Sequence, residues 1–474
     1  MRHVRTIGVT ASSIAALILA AGTALLTVGG ANLAAGAAND RSGASPDVMF
    51  FTAPGIKQGL EARFNGRKLS ISPGAIWVND KPLNVPRELS IDIPACPMVT
   101  VKNEPVKLTA EPLKGPASAS ILHYSRASAN DRAALEGVVV PGSVRVTLNA
   151  DEEKNFLKPN VDYLLDANWA ALAKGPSTAV KANQTVYVDY VYFTRRLDTL
   201  TIDDSGNFRL WHGEPARSAP IPPAVRDDLL RLANFHAEPG NEKMKPEDFL
   251  PISAKPAAKT PVELRKRNAA ALARTKAKLE AGQKVNIVFW GDSITSGADA
   301  SVIDKNFYSQ TLAGLKKKYP KATIVAHNAG IGGSNTKSRL PKMDAEVLSK
   351  KPDLIIIEFI NDVYLKKEDH DSNYKVILEK AKAANAELLL VNPGLPAPRL
   401  MGVPNWKSVM KMTYYPFVRA LCESSNVALA DVELRYEKLD KEGLTPDLLL
   451  VDRLIHPNDL GHAIYAQEIM KAFQ

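Results

Sequence analysis

The sequence predicts an α/β domain in the C-terminal half of the chain, preceded by a β-rich, sandwich-like module. Two observations carry this. After Gly282 apolar runs recur with amphipathic stretches between them: "VNIVFW", "ATIVAH", "DLIIIEFI", "AELLLVNP" and "VALADV". Near-continuous hydrophobic strands alternating with helical segments mark a parallel sheet covered on both faces. From 48 to 215 the texture differs. Segments such as "KLSISPGAIWV" and "TVYVDYVYF" are separated by turn chemistry at Asn79-Asp80-Lys81-Pro82 and Asp203-Asp204-Ser205-Gly206, which reads as short antiparallel strands.

Taken in order, the chain opens with Arg2, His3 and Arg5 and then carries no charge until Asp40. Small residues at Ala35-Gly36-Ala37 suit cleavage, so residues 1–37 read as a secretory signal peptide or, given the length of the apolar stretch, an N-terminal anchor. Either reading places the protein outside the cytoplasm, periplasmic or secreted. The β-rich module follows at 48–215, and Trp77, Tyr190 and Trp211 are its candidates for polymer contact or, alternatively, for its own core. Proline then thickens through "APIPPAV" and "FLPISAKPAAKTPVE", which reads as a linker over 216–261. It ends in a helix start, with Thr260 as N-cap, Pro261 at the first helical position and Glu263 closing a capping box. The α/β domain is expected at 262–474, its first helix ending near Gly282 with Leu272 and Leu279 on its packed side. The β-rich part is expected to be separable from it.

The composition is that of an ordinary globular protein, 45% hydrophobic and 23% charged over 474 residues. The net charge of +9 is spread over dispersed Lys and Arg with no nucleic-acid motif, so a nucleic-acid partner is not expected. Cys96 and Cys422 are the only cysteines; they are expected to stay unpaired, and no metal site and no cofactor is expected.

In a parallel α/β sheet the chemistry gathers at the carboxyl ends of the strands. The first strand runs into "GDSIT", which puts Ser293 at the head of a helix, where it is either a helix cap or a nucleophile. The second ends in "AHNAGIGGSNT", a glycine turn able to present backbone N–H groups. The third ends in "EFINDV", with Asn361 leaving the sheet, and near the C-terminus "LVDRLIHPNDLGHAIYAQEIM" holds Asp452, His456 and His462. Together these segments supply a hydroxyl, an imidazole, an orienting carboxylate and oxyanion donors, the set that acyl transfer needs.

These residues resemble the four blocks of the SGNH (GDSL-type) hydrolase family, over about 283–474. "GDSIT" is similar to the nucleophile block, "NAGIGG" to the glycine block, "EFIND" to the asparagine block and "DRLIHPND" to the Asp/His block. The resemblance implies a three-layer α/β/α domain with a five-stranded parallel sheet. It also implies a catalytic set of Ser293, Asp452 and His456, with an oxyanion hole from Ser293, Gly333 and Asn361; Gly332 and Gly330 are alternative registers. Two departures stand out. Phe359 occupies the place of a glycine before Asn361, with an altered pocket wall as the expected consequence. Three residues, not two, separate Asp452 from His456, so a backbone carbonyl or Asp447 is an alternative partner for the imidazole. Asp292 is expected to fix the nucleophile turn, and His327, His370 and His462 to be structural.

The function implied is an exported serine esterase acting on O-acyl esters, with acylated carbohydrate as the favoured substrate and polysaccharide contact through the β-rich module. A lipolytic esterase or an acyltransferase would use the same triad. A catalytically inactive cell-envelope binding protein is the alternative of another class, and the intact Ser293, Asn361 and His456 argue against it.

Overall fold

The structure, a computed structural model, describes residues 48–474 apart from short stretches at 54–59, 79–80, 115–117, 119, 123–134, 136, 239, 241–242 and 255–260. The expected N-terminal signal or anchor and the Thr260 cap lie outside the described residues. No helix among the described residues is long and apolar enough to cross a membrane.

The C-terminal domain is built on five parallel strands: β1 (Lys284–Gly291), β2 (Thr323–Gly330), β3 (Leu354–Glu358), β4 (Glu387–Asn392) and β5 (Ala428–Asp431). Their order is β2-β1-β3-β4-β5. All five coincide with the apolar runs of the sequence, and β3, β4 and β5 are buried along their whole length. Such strands must be covered on both faces. The cover comes from α1 (Val262–Ala271), α2 (Ala273–Glu280), α3 (Ser293–Ser296), α4 (Phe307–Lys318), α5 (Lys367–Ala383), α6 (Tyr414–Ser424) and α7 (Asp459–Lys471). The expected first helix is broken at Leu272 into α1 and α2. Leu272 and Leu279 are both buried as its stripe requires, and Gly282 ends it at φ +69°. Because β1 crosses to β2 on one side while β3 lies on the other, the sheet reverses direction between β1 and β3. A crevice opens at the carboxyl ends of strands at such a point.

Residues 48–254 form antiparallel sheets around two hydrophobic cores, one over 106–192 and one in which the strands of 49–92 pack against Arg196–Ile202, Leu230–Ala237 and Phe249–Pro251. The last two strands lie inside the stretch expected to be a linker. Its prolines punctuate the turns that flank those strands, at Pro220, Pro222, Pro223 and Pro246, while the "LRLANFHA" run between them pairs along its length with Arg196–Ile202.

Nor are the two halves loosely strung. Leu197 is buried in the same core as the parallel sheet. Asn234 Nδ2 donates to the Gly443 carbonyl at 2.7 Å, Ser253 and Ala254 both donate to Lys441, and Asn458 Nδ2 donates to the Ala219 carbonyl at 2.9 Å. Gly443 has φ +70°, and a Cβ there would lie 2.6 Å from Ile252, so the contact requires glycine. The module expected to be separable meets the α/β domain across a hydrogen-bonded interface.

Candidate active site

The nucleophile turn is set by close packing. A Cβ on Gly291 would lie 2.0 Å from Thr295 Oγ1 and 2.1 Å from the Glu358 carbonyl, so only glycine lets β1 end against β3. Asp292 caps the single-turn helix α3: its Oδ1 accepts from Ile294 N–H at 3.1 Å and its Oδ2 from Asn361 N–H at 3.0 Å. It fixes the turn, as expected. Ser293 is thereby the first residue of α3, where a backbone N–H has no partner within the helix.

Ser293 Oγ lies 2.8 Å from His456 Nε2. The ring's other nitrogen, Nδ1, is 3.1 Å from Asp452 Oδ2 and also 3.1 Å from Asp299 Oδ2. Asp452 thus reaches the imidazole despite the longer spacing. The extra residue is absorbed by Arg453, which takes φ +58°, while Asp452 Oδ1 gathers the N–H groups of Leu454, Ile455 and His456 at 2.8–3.0 Å. Neither Asp447 nor a backbone carbonyl is needed as a substitute. Asp299 was not anticipated from the sequence; no motif distinguishes an aspartate six residues beyond the serine.

Electrostatics follow from this pairing. Burial works against a charged His456, but hydrogen bonds and charge from Asp299 and Asp452 outweigh it and hold the imidazole well above its ordinary range. Burial likewise raises Asp452, and the bond and charge of His456 overcome that, leaving its carboxyl below the usual value. Beneath the nucleophile, burial pushes Asp292 up to about 6 and Glu358 well above its usual value, and Asp362 up to about 7.

The oxyanion candidates sit in and beside the glycine turn. Asn361 donates its side-chain amide to the Ser334 carbonyl at 3.1 Å, tying it to the glycine turn. Gly333 adopts φ +70° with open space where a Cβ would be, and a Cβ on Gly332 would lie 3.8 Å from Ser293 Cβ. Gly330 is spent otherwise: its N–H donates to Asn328 Oδ1, and a Cβ there would lie 2.3 Å from Ser296 N. Arg339, also unanticipated, is buried and links the ends of β1 and β2, donating to the carbonyls of Gly291 (3.4 Å) and Ala329 (3.0 Å). Phe359 is not a pocket wall. It is fully buried, with its ring edge-to-face with Trp290 at 5.1 Å.

His462 and His370 are structural in their contacts. His462 Nε2 donates to the Ala298 carbonyl at 2.9 Å and its Nδ1 accepts from Phe307 N–H; burial lowers it to about 4, so the ring is neutral. His370 Nε2 donates to the Asp362 carbonyl. Cys96 and Cys422 are unpaired.

A cavity of about 1330 Å³ adjoins the acid side of His456. One wall is the loop from Ser296 to Ser301; the other is the segment 211–224 of the N-terminal part, including Trp211, His212 and Glu214. Trp211 donates Nε1–H to Thr201, with Arg209 over its ring at 4.0 Å, while Tyr190 is buried in its own core.

Comparison with known proteins finds likenesses over parts of the chain. Residues 289–464 match the GDSL-like lipase/acylhydrolase family, and residues 110–250 match a domain of unknown function, DUF4815. The chain is 26% identical over 217 residues to an acetylxylan esterase of Geobacillus stearothermophilus, covering 41% of this chain and 95% of that protein. Among solved structures, a two-domain esterase active on acetylated mannans aligns at 25% identity and a TM-score of 0.37, over 43% of this chain. This chain spans about half the length of that esterase, 52%. The Geobacillus acetylxylan esterase Axe2 aligns at 23% identity and a TM-score of 0.35, covering 40% of this chain and 94% of its own. Over residues 289–464 the C-terminal domain is thus similar to the GDSL-like lipase/acylhydrolase family, a likeness that supports a carboxylic ester hydrolase.

Proposed function

We propose that this protein is an exported serine esterase that removes O-acyl groups from carbohydrate through an acyl-enzyme. The observation that carries the reading is the 2.8 Å contact from Ser293 Oγ to His456 Nε2 in a ring whose Nδ1 is held by carboxylate. In that arrangement His456 takes the Ser293 proton as the oxygen attacks the ester carbonyl. Asp452 keeps Nδ1 protonated and stabilises the imidazolium. The developing oxyanion is met by the N–H groups of Ser293 and Gly333 and by the Asn361 amide. As the ester C–O bond breaks, His456 gives its proton to the departing sugar oxygen, which leaves as a hydroxyl, and water, activated by the same ring, frees the acid. A carbohydrate substrate is supported by the acetylxylan esterase relative, and export by the charge-free N-terminal stretch.

The cavity shared with the 211–224 segment borders His456 on its acid side, next to the site, and its size and its wall from the N-terminal part support polysaccharide contact beyond the reacting ester. The test is twofold. A fluorophosphonate probe should label Ser293, and acetylated xylo- or manno-oligosaccharides should release acetate with the wild-type protein and not with Ser293→Ala. An unlabelled serine in folded protein refutes the esterase; labelling without acetate release from either sugar refutes the substrate class.

A further inference from the structure

We propose that Asp299 is a second orienting acid for His456, sharing the Nδ1 proton with Asp452; the inference rests on the esterase reading above. Its geometry is built, not incidental. Helix α3 is a single turn, closed by Gly297 at φ +95° and by Ala298 N–H donating to the Ser293 carbonyl at 2.9 Å. Asp299 itself then takes φ +62°. Two left-handed residues within three positions double the chain back, which returns residue 299 to the side of residue 293. Aspartate and asparagine adopt this conformation more readily than other residues with a Cβ, so the position suits its occupant.

Both sides of the loop are fastened to α7. His462 Nε2 holds the Ala298 carbonyl at 2.9 Å, and Asp459 accepts from Ser301 N–H (2.8 Å) and Ser301 Oγ–H (2.6 Å). His456 stands three residues before that helix, whose N-cap is Asn458. The acid and the base are therefore registered against the same helix start. The Asp299 carboxylate is almost fully buried, 2% exposed, and points an oxygen at Nδ1 at the same 3.1 Å as Asp452.

The two acids are not equivalent. Asp452 spends one oxygen on three backbone N–H groups and so shapes the turn as well as holding the ring. Asp299 Oδ2 meets the ring Nδ1 at 3.1 Å. One Nδ1 proton lies between two carboxylates, so either can hold the tautomer with Nε2 free to receive the Ser293 proton, and both stabilise the imidazolium formed as Ser293 attacks. The accompanying cost is a ring that is protonated up to higher pH, and that charged form cannot act as a base. Other ionisable groups near the ring and its acids are Asp292 at the nucleophile turn, Tyr364 facing Asp452, Asp459 of α7, and His462 of α7, which is neutral.

The test uses the full-length protein with Asp299→Asn, Asp299→Gly, Asp452→Asn and the double Asn variant. Asn and Gly both accept the left-handed backbone, so thermal unfolding should report intact folds for the 299 variants. With 4-nitrophenyl acetate, each single substitution should cost on the order of 10-fold to 100-fold at the alkaline plateau of kcat, and the double roughly 10⁴-fold, the loss typical when a serine hydrolase loses its orienting acid. The acid limb of kcat/KM should move to lower pH in Asp299→Asn, because a less stabilised imidazolium loses its proton sooner. The His456 pKa read by NMR should fall in the same variant, whether or not the protein turns over an ester. That separates this inference from the esterase reading, which falls if the wild type is neither labelled nor active. An unmoved NMR pKa in Asp299→Asn, or an Asp452→Asn loss already equal to that of the double variant, overturns the role of Asp299. So does activity that is abolished by a chelator and restored by a divalent cation, since Asp299, Asp452 and His456 would then be metal ligands.

Discussion

Phe359 stands where the family pattern has glycine, and the structure turns this departure into a quantitative test. Its side chain is fully buried at the end of β3, with the ring edge-to-face with Trp290 at 5.1 Å and 88°. Phe359→Ala removes that ring from a packed core, which typically costs ~3–5 kcal/mol, of which ~0.5–1.5 kcal/mol belongs to the aromatic pair. For a domain of this size each kcal/mol moves the melting temperature by about 2–4 °C, so the shift should be about 6–20 °C. Urea and thermal unfolding followed by tryptophan fluorescence read it directly, since Trp290 is the partner that loses its neighbour. Steady-state kinetics on 4-nitrophenyl acetate well below the transition should show KM nearly unchanged, because Phe359 packs beneath the site. A loss of less than about 1 kcal/mol with a large rise in KM would refute the reasoning and return Phe359 to the pocket wall.

Ser293→Ala and His456→Ala should each abolish aryl acetate turnover while leaving unfolding within a few degrees of wild type; retained turnover in either would dismantle the proposed chemistry. Asn361→Ala should lower kcat by ~10²–10³ with KM little changed, since its amide meets charge that develops in the transition state; a change confined to KM would make it a substrate-binding group. Asp362, raised by burial to about 7, binds its proton more tightly folded than unfolded, so its stabilising contribution is complete below about pH 4 and is lost as pH rises through 7. Urea midpoints at pH 5 and pH 8 should therefore differ less in Asp362→Asn than in wild type; an equal difference would assign the pH dependence elsewhere. A chain beginning at Thr260 should be destabilised and impaired even on small esters, because it loses the Ala219 contact to Asn458 and the Asn234 contact to Gly443; wild-type turnover from that chain would show that the interface is dispensable.

How much of this was legible in the sequence depended on the range of the interaction involved. The four inner and far-edge strands β1, β3, β4 and β5 were readable because burial writes a near-continuous apolar run, and the half-exposed edge strand β2 was readable from its shorter "ATIVAH" run. Ser293, Asn361, Asp452 and His456 were readable because each ends or follows such a run and carries the chemistry on its own side chain. Asp299 and Arg339 were not. Asp299 matters through two left-handed backbone angles and two anchors on α7, and Arg339 through carbonyls on two different strands, none of which leaves a local pattern. Phe359 was visible as a departure, but its consequence was misread because its partner Trp290 lies 69 positions away. The proline-rich stretch misled for a related reason: proline marks turns, and turns bound strands as readily as they make linkers.

The first residues of α7 and the turn before it explain why the N-terminal part and the chemistry are tied together. Within seven residues, His456 meets Ser293 and both acids, Asn458 caps the helix through Gly461 N–H while its amide reaches Ala219, Asp459 holds Ser301, and His462 holds Ala298. His456, the loop that bears Asp299 and the 211–224 segment are thus fixed to one short stretch of chain. A displacement of the N-terminal wall pulls on Asn458, which lies two residues from the imidazole. Polymer seated in the shared cavity would therefore bear on the segment that sets the Ser293–His456 distance, whereas a small aryl ester would not engage that wall. This is the physical reason to expect acylated oligosaccharides and small esters to respond differently to changes at 211–224, with turnover of the former falling first.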